Sequence, residues 1–280
     1  MALGTVIVTG ATGQVGRRLL SSLQGKCQAV IALVRQPTRL PVTEVIADWP
    51  NSARAREAIA QADAVVHLAG NLKPDRGDYI SANIKTTEAV VSALSKTQTK
   101  RVIFLSYVGA SINSPNAYRS TKAQAEAILQ ASGIPVTIFR CTHIIGSPSQ
   151  PGPTAASLLS KNGKSVAVLG SGNQNVAPVY LDDVVSAIVA ALEQGQDSIF
   201  DLAGPECLSM DDLVKLLNRS QAIKLNHIPP FIAKLLPWVV PDLPAALVDV
   251  MLADSVGNPQ RAIEAFNLEL TSLKQVWSNA

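Results

Sequence analysis

Apolar runs separated by turn residues recur from the start of the chain. TVIVTG (5–10) is an uninterrupted, β-branched run ending on glycine, and GRRLLSSL (16–23) after it has helical spacing. QAVIALV (28–34), TEVIA (43–47), DAVVHLAG (63–70), RVIFLS (101–106) and PVTIFR (135–140) repeat the strand pattern. Helices are predicted between them, around 53–60, from about Tyr79 to Lys96, and over 117–132. Strands that are apolar on both faces and alternate with helices predict a parallel sheet covered on both sides. The fold class is therefore α/β, a doubly wound Rossmann-type sheet whose ligand crevice lies beyond the carboxyl ends of the strands.

The pattern changes after residue 146. GSPSQPGPT (146–154) and NGKSVAVLGSGNQN (162–175) are rich in turn residues. VAPVYLDDVVSAIVAALE and SIFDLAG then restore a strand–helix–strand pattern, so 177–204 is expected to rejoin the first domain, 1–146. Residues 147–176 and 205–280 are left for a smaller substrate lobe. SMDDLVKLLNRS reads as an amphipathic helix capped by Ser209. In FIAKLLPWVVPDLPAALVDVMLA (231–253), prolines at 237, 241 and 244 and charges at 234, 242 and 249 interrupt the apolar run. That argues against a membrane span.

Composition narrows the partners. At 280 residues and 47% hydrophobic, the chain can bury a large core. A net charge of +3 without a Lys/Arg run argues against nucleic acid. Cys27, Cys141 and Cys207 are widely spaced, as are His67, His143 and His227, so neither a metal site nor a disulfide framework is expected. The absence of a signal-type leader at MALGTVIVTGATG makes a cytoplasmic setting the expectation.

Candidate chemistry concentrates at the strand ends. TGATGQVG places Gly10, Gly13 and Gly16 between a strand and a helix, where glycines permit a tight turn and let backbone N–H groups approach a pyrophosphate. At the end of the second strand stands Arg35, where an NAD enzyme usually has a carboxylate. It suits a 2′-phosphate, so NADP is expected rather than NAD, with Arg17 and Arg39 able to assist. The alternative for Arg35 is a solvated loop cation. Asp48 is placed either to accept from the adenine amino group or to serve as the N-terminal charge of the helix after it. Asp182 and Asp183 precede a helix and are expected to cap it. In YRSTK, Tyr118 and Lys122 lie four apart on one helix face, so both heads can enter one site.

With TGATGQVG, HLAG, FLS and YRSTK in this order, followed by RCTHIIG (140–146), PVYLDDV (178–184) and FNLELTSLKQVW, the chain resembles the short-chain dehydrogenase/reductase superfamily. It looks most like the extended and atypical branches that include epimerase/dehydratase-like proteins. The resemblance implies that Gly10, Thr12, Gly13, Gln14 and Val15, with Gly16, wrap the pyrophosphate and that Leu68, Ala69 and Gly70 line the adenine–ribose side. Asn83 would lie near the cofactor, and Thr142, His143 and Ile144 would approach the nicotinamide carboxamide through the backbone. Tyr118 is implied as general acid/base and Lys122 as the ribose ligand, its ammonium lowering the phenol pKa. The sequence departs from the pattern at Val108, where catalytic members carry Ser or Thr; Ser106 or Ser111 would have to substitute.

Two functional expectations follow. One is an NADP-dependent oxidoreductase or epimerase/dehydratase-like enzyme acting on a small molecule through Tyr118, Lys122 and Ser106. The other is an NADP-binding protein with little or no turnover, acting in assembly, regulation or redox sensing. The apolar stretch at 231–253 either completes the core or meets a lipophilic ligand, a hydrophobic partner or a membrane face. The expected assembly is a monomer or a homodimer.

Overall fold

The computed structural model describes residues 3–220, 222–240 and 243–278; Pro241 and Asp242 of the apolar stretch lie outside the described residues. In the first half, β1 (Leu3–Thr9), β2 (Cys27–Leu33), β3 (Glu44–Ile46), β4 (Ala64–His67), β5 (Arg101–Tyr107) and β6 (Val136–Cys141) alternate with four helices. These are α1 (Gln14–Leu23), α2 (Ala53–Gln61), α3 (Thr86–Ala93) and α4 (Ala117–Gln130). The second half contains β7 (Ile144–Ile145), α5 (Gly152–Leu158), β8 (Ser165–Leu169), β9 (Asn175–Val176), β10 (Val179–Tyr180) and α6 (Leu181–Gln194). After these come β11 (Ser198–Leu202), β12 (Leu208–Ser209), α7 (Met210–Leu217), β13 (Lys224–Ile228) and two short helices, α8 (Pro230–Ala233) and α9 (Leu236–Val239). α10 (Ala245–Leu252), α11 (Gln260–Phe266) and α12 (Leu273–Ser278) complete the described chain.

The main sheet has seven parallel strands in the order β11-β6-β5-β4-β1-β2-β3. Strand order reverses between β1 and β4, and this switch point opens the crevice. Each face buries its own cluster. Leu19, Leu20, Val184, Ile188 and Phe266 pack on one side, and Ile59, Val90, Leu129 and Trp49 on the other. A third cluster, apart from these two, gathers Leu158, Val168, Leu213, Leu217 and Trp277.

Several expectations change in detail. The helix predicted over 79–96 is a π-turn at Ile80–Lys85 running into α3, and Asn83 is buried in that turn. The Thr86 hydroxyl donates to the Ala82 carbonyl and the Thr87 hydroxyl to that of Asn83. Asp182 and Asp183 do not cap α6, whose N-cap is Tyr180 without a side-chain bond. Long-range partners take them instead: Asp182 binds Arg18 in a two-pronged pair, and Asp183 accepts from the Thr271 N–H and hydroxyl. Ala262, Phe266 and Leu268 pack in the cluster on the main sheet. Phe266 stacks edge-on to Phe139 and Phe200 over the main sheet, because the last strand would otherwise expose that aromatic face. Ser209 does cap α7, accepting from the Asp212 N–H.

Candidate active site

The glycine turn is shaped by two close approaches. Gly10 has φ +64°, and a Cβ there would lie 2.7–2.8 Å from the Leu68 and Ala69 backbone at the end of β4. A Cβ on Gly16 would lie 2.4 Å from the Gly10 carbonyl oxygen, so α1 packs directly on the turn. Gly13 is the N-cap of α1 and supplies no side-chain bond, which leaves the first N–H groups of the helix pointing into the crevice. Arg17 turns its guanidinium onto the Thr12 carbonyl.

One hydrogen-bond chain ties this turn to the next strand. The Ala69 N–H donates to the Thr9 hydroxyl, which contacts His67 Nδ1 at 2.8 Å; His67 Nε2 lies 3.0 Å from the Thr87 hydroxyl. Because that hydroxyl donates to the Asn83 carbonyl, it accepts from Nε2–H, and the Thr9 hydroxyl donates to Nδ1. Burial pulls the His67 pKa down to about 3, with Lys122 adding to the effect, so the imidazole stays neutral. His67 is a structural connector. The Asn83 side chain is held at both ends: Oδ1 accepts from the Asn71 N–H and Nδ2 donates to the Thr121 hydroxyl.

α4 starts at Asn116, whose Oδ1 caps the Arg119 N–H. Tyr118 and Lys122 therefore share the face turned to the ends of β4 and β5. Lys122 is 4% exposed; its ammonium donates to the Leu105 carbonyl and lies 4.0 Å from the Phe104 ring centroid. Burial pulls its pKa down to about 7, opposed by the Glu126 carboxylate one helical turn away. Glu126 is in turn gripped by Arg140 through two bonds. The Tyr118 ring packs 5.6 Å from Tyr107 and 6.1 Å from Tyr79. Burial raises the Tyr118 pKa above that of an ordinary phenol, and Tyr107 and Cys141 reinforce the shift. The expectation of a phenol acidified by Lys122 is corrected: the ammonium is engaged at Leu105, and in the unliganded protein the proton rests on Tyr118.

The buried polar atoms without a partner among the described residues include Ser106 Oγ, His143 Nε2, Arg119 Nε and Gln14 Nε2. Burial holds the His143 pKa down at about 4, with Arg119 adding to it. Gln14 lies against Gly146 and Gly152, where a Cβ on Gly152 would lie 2.0 Å from its amide nitrogen. Unpartnered donors and acceptors of this kind, next to an uncapped helix and a glycine turn, suit a polar dinucleotide. The Thr142 N–H donates to the Leu202 carbonyl and its hydroxyl to the Ala177 carbonyl. Ile144 pairs in β7 with β10.

Val108 is buried among Tyr107, Tyr118, Leu72 and Val250, so the wall beside the phenol is apolar. Ser111 is exposed in the loop beyond. Arg35 is exposed just past β2 and makes no ion pair among the described residues. Asp48 is exposed, with φ +47°, and accepts from the Asn51 side chain. It does not serve α2, which Ser52 caps through the Ala55 N–H. Sequence reasoning missed Tyr107 and Arg119. The Tyr107 hydroxyl bonds Ser255 from 148 residues away, and the Arg119 guanidinium lies 5.8 Å from the Tyr107 ring. Neither contact has a local signature.

The low Lys122 pKa predicts a pH dependence. The unfolded chain holds this proton up to its ordinary value of 10.5, whereas the folded protein releases it near 7. The unfolded state therefore binds more protons across that window, and stability is expected to rise with pH from 7 to 9 by up to about 1.4 kcal/mol per unit. Lys122→Met should flatten the rise. Urea unfolding of the nucleotide-free protein at pH 7, 8 and 9 checks this; an equal slope in both proteins would refute the assignment.

The family model described as the NAD dependent epimerase/dehydratase family matches residues 6–203. The chain is 26% identical to "NADH dehydrogenase (ubiquinone) 1 alpha subcomplex subunit 9, mitochondrial" of Arabidopsis thaliana, over 94% of this chain and 67% of that protein. It is also 26% identical to the N-acetyl-alpha-D-glucosaminyl-diphospho-ditrans,octacis-undecaprenol 4-epimerase of Escherichia coli O157:H7, over 80% of this chain and 75% of that one. Among solved structures, UDP-glucuronic acid 4-epimerase from Bacillus cereus, with UDP-glucuronic acid and NAD bound, superposes with a TM-score of 0.76 at 19% identity. The match covers 98% of this chain and 96% of that one.

Proposed function

Because the chain belongs to the NAD dependent epimerase/dehydratase family, we propose that it is an NADP-dependent oxidoreductase or epimerase-like enzyme in which Tyr118 and Lys122 serve a small carbonyl or alcohol substrate. The observation carrying this reading is the buried face of α4. There Tyr118 and Lys122 meet the ends of β4, β5 and β6 beside the unpartnered Ser106 Oγ and His143 Nε2. When bound, the nicotinamide supplies the hydride donor or acceptor. The chain's own residues would do the rest. The α1 N-terminus and the glycine turn would hold the pyrophosphate, and Lys122 and Asn83 would orient the ribose. Tyr118, protonated at rest, would deliver its proton to a carbonyl oxygen. Ser106 would take the polarising role that Val108 cannot perform.

The preference for NADP rests on Arg35. The family's description and the B. cereus neighbour name NAD, but this chain presents a free guanidinium where a carboxylate would bind the ribose diol. NADPH is expected to bind more tightly than NADH, and Arg35→Asp to erase the difference at a cost of about 1.5–3 kcal/mol. Titration calorimetry with both nucleotides tests it; equal affinities would remove Arg35 from cofactor choice.

A second reading is favoured by Val108. With an apolar side chain in place of a hydroxyl, the protein would bind NADP but turn over little, as an assembly or regulatory component. NADPH absorbance with a panel of ketones, alcohols and nucleotide sugars separates the two. Tight NADPH binding without oxidation, reduction or epimerisation of any compound would favour the second reading. Three free cysteines, one of them exposed, fit a reducing compartment such as the cytoplasm.

A further inference from the structure

The segment joining β13 to α10 carries an exposed apolar surface that the site above does not use. Phe231 is 70% exposed, Leu235 60%, Trp238 88% and Val239 74%, with Ile232 and Val240 partly exposed. These six side chains fall within ten residues. Monomeric proteins rarely leave such a patch uncovered.

The backbone beneath is built for a medium without water. Pro229, Pro230 and Pro237 have no N–H to satisfy. The amides of Ala233, Lys234, Leu235, Trp238 and Val240 all donate within the segment, to Pro229, Pro230, Ile232, Leu235 and Leu236. Apolar side chains over a backbone whose amides are mostly bonded within the segment can enter a lipid interface with few stranded polar groups. Tryptophan at the most exposed position suits the headgroup level, and Lys234, also exposed, can reach phosphates from beside it. The sequence contains no carboxylate between Asp212 and Asp242, so the segment carries only positive charge. A cleft of about 380 Å³ between Pro74, Arg76 and Gly77 on one side and Trp238, Val240 and Pro244 on the other opens beside it. Asp75 and Asp78 share the loop with Arg76, which leaves Lys234 as the principal cation. No helix among the described residues is long and apolar enough to cross a membrane, so the contact is peripheral.

We propose that residues 230–240 dock this protein onto the surface of an anionic lipid bilayer, inserting Phe231, Leu235 and Trp238 into the interface. The inference is independent of cofactor and catalysis. It is tested by mixing the full chain, without nucleotide, with vesicles of phosphatidylcholine alone or with added phosphatidylglycerol. Flotation and tryptophan emission are then measured. Trp49 and Trp277 are 3% and 2% exposed, so a change in emission reports Trp238. The chain is expected to float with the anionic vesicles and its emission to shift to the blue. Both effects should weaken in high salt. Replacing Phe231 and Trp238 together by Ser should cut partitioning about tenfold or more while leaving thermal stability unchanged, since both side chains are exposed. No flotation at lipid excess, or flotation unaffected by the double substitution, would overturn the proposal. So would a dimer in sedimentation that dissolves on Trp238→Ser without vesicle binding, which would assign the patch to a second copy of the chain.

Discussion

Replacing Tyr118 by Phe is expected to lower turnover by a factor of about 10²–10⁴, the usual contribution of a positioned proton donor. The compound assayed is the one that reacts best in the carbonyl and alcohol panel. NADPH affinity should change little, because the ring remains packed against Tyr107 and Tyr79 and only the hydroxyl is lost. Lys122→Met should weaken affinity as well as turnover, since the role proposed for Lys122 is to hold the ribose. Measuring kcat and KM for both variants distinguishes the roles. A Tyr118→Phe protein with normal kcat would remove Tyr118 from the mechanism, and NADPH binding untouched in Lys122→Met would remove the lysine from the cofactor.

Glu126→Ala is expected to cost about 3–5 kcal/mol, the usual penalty for leaving one member of a buried pair uncompensated. Glu126 is 4% exposed and Arg140 27%, and the two share two bonds, so removal leaves a partly buried guanidinium without its partner. Glu126→Leu combined with Arg140→Met should recover most of the loss, because the apolar replacements need no partner. Urea unfolding of the single and double variants measures it; a single-variant cost under about 1 kcal/mol would show the pair to be solvated. The same substitution reaches the site. Glu126 is what holds the Lys122 pKa up against burial, so in its absence the lysine should deprotonate at lower pH.

What the sequence made legible was the scaffold and the order of the site along it. β1, β2, β4, β5 and β6 were visible because a strand covered on both faces reads as a near-continuous apolar run, and each lies within a residue or two of its expected bounds except β4. β4 stops at His67, because the Thr9 hydroxyl draws off the Ala69 N–H. Tyr118 and Lys122 were legible as a helical pair since their spacing is local. Their protonation was not, because it depends on desolvation by strands distant in sequence and on a lysine donor committed to the Leu105 carbonyl. For the same reason Asp182 and Asp183 misled: near a helix start a carboxylate looks like a cap, and nothing local betrays Arg18 or Thr271. The π-turn at 80–85 has the composition of an ordinary helix, and only the buried Asn83 it presents sets it apart.

The last strand of the main sheet has a consequence for how the protein is made. β6 pairs on one side with β5, the strand before it, and on the other with β11, which follows only after β7 to β10, α5 and α6. During synthesis the ribosome takes on the order of 3–10 seconds to pass from Cys141 to Ser198. Throughout that interval the Val136–Cys141 edge, five of its six residues buried in the finished protein, has no neighbour on one side. A nascent chain in this state offers a flat, apolar strand edge to any other chain in the same state. Crowded translation of this message, or a stop before residue 198, should therefore yield aggregate rather than a smaller folded domain, even though every glycine of the nucleotide turn and both Tyr118 and Lys122 have already been made.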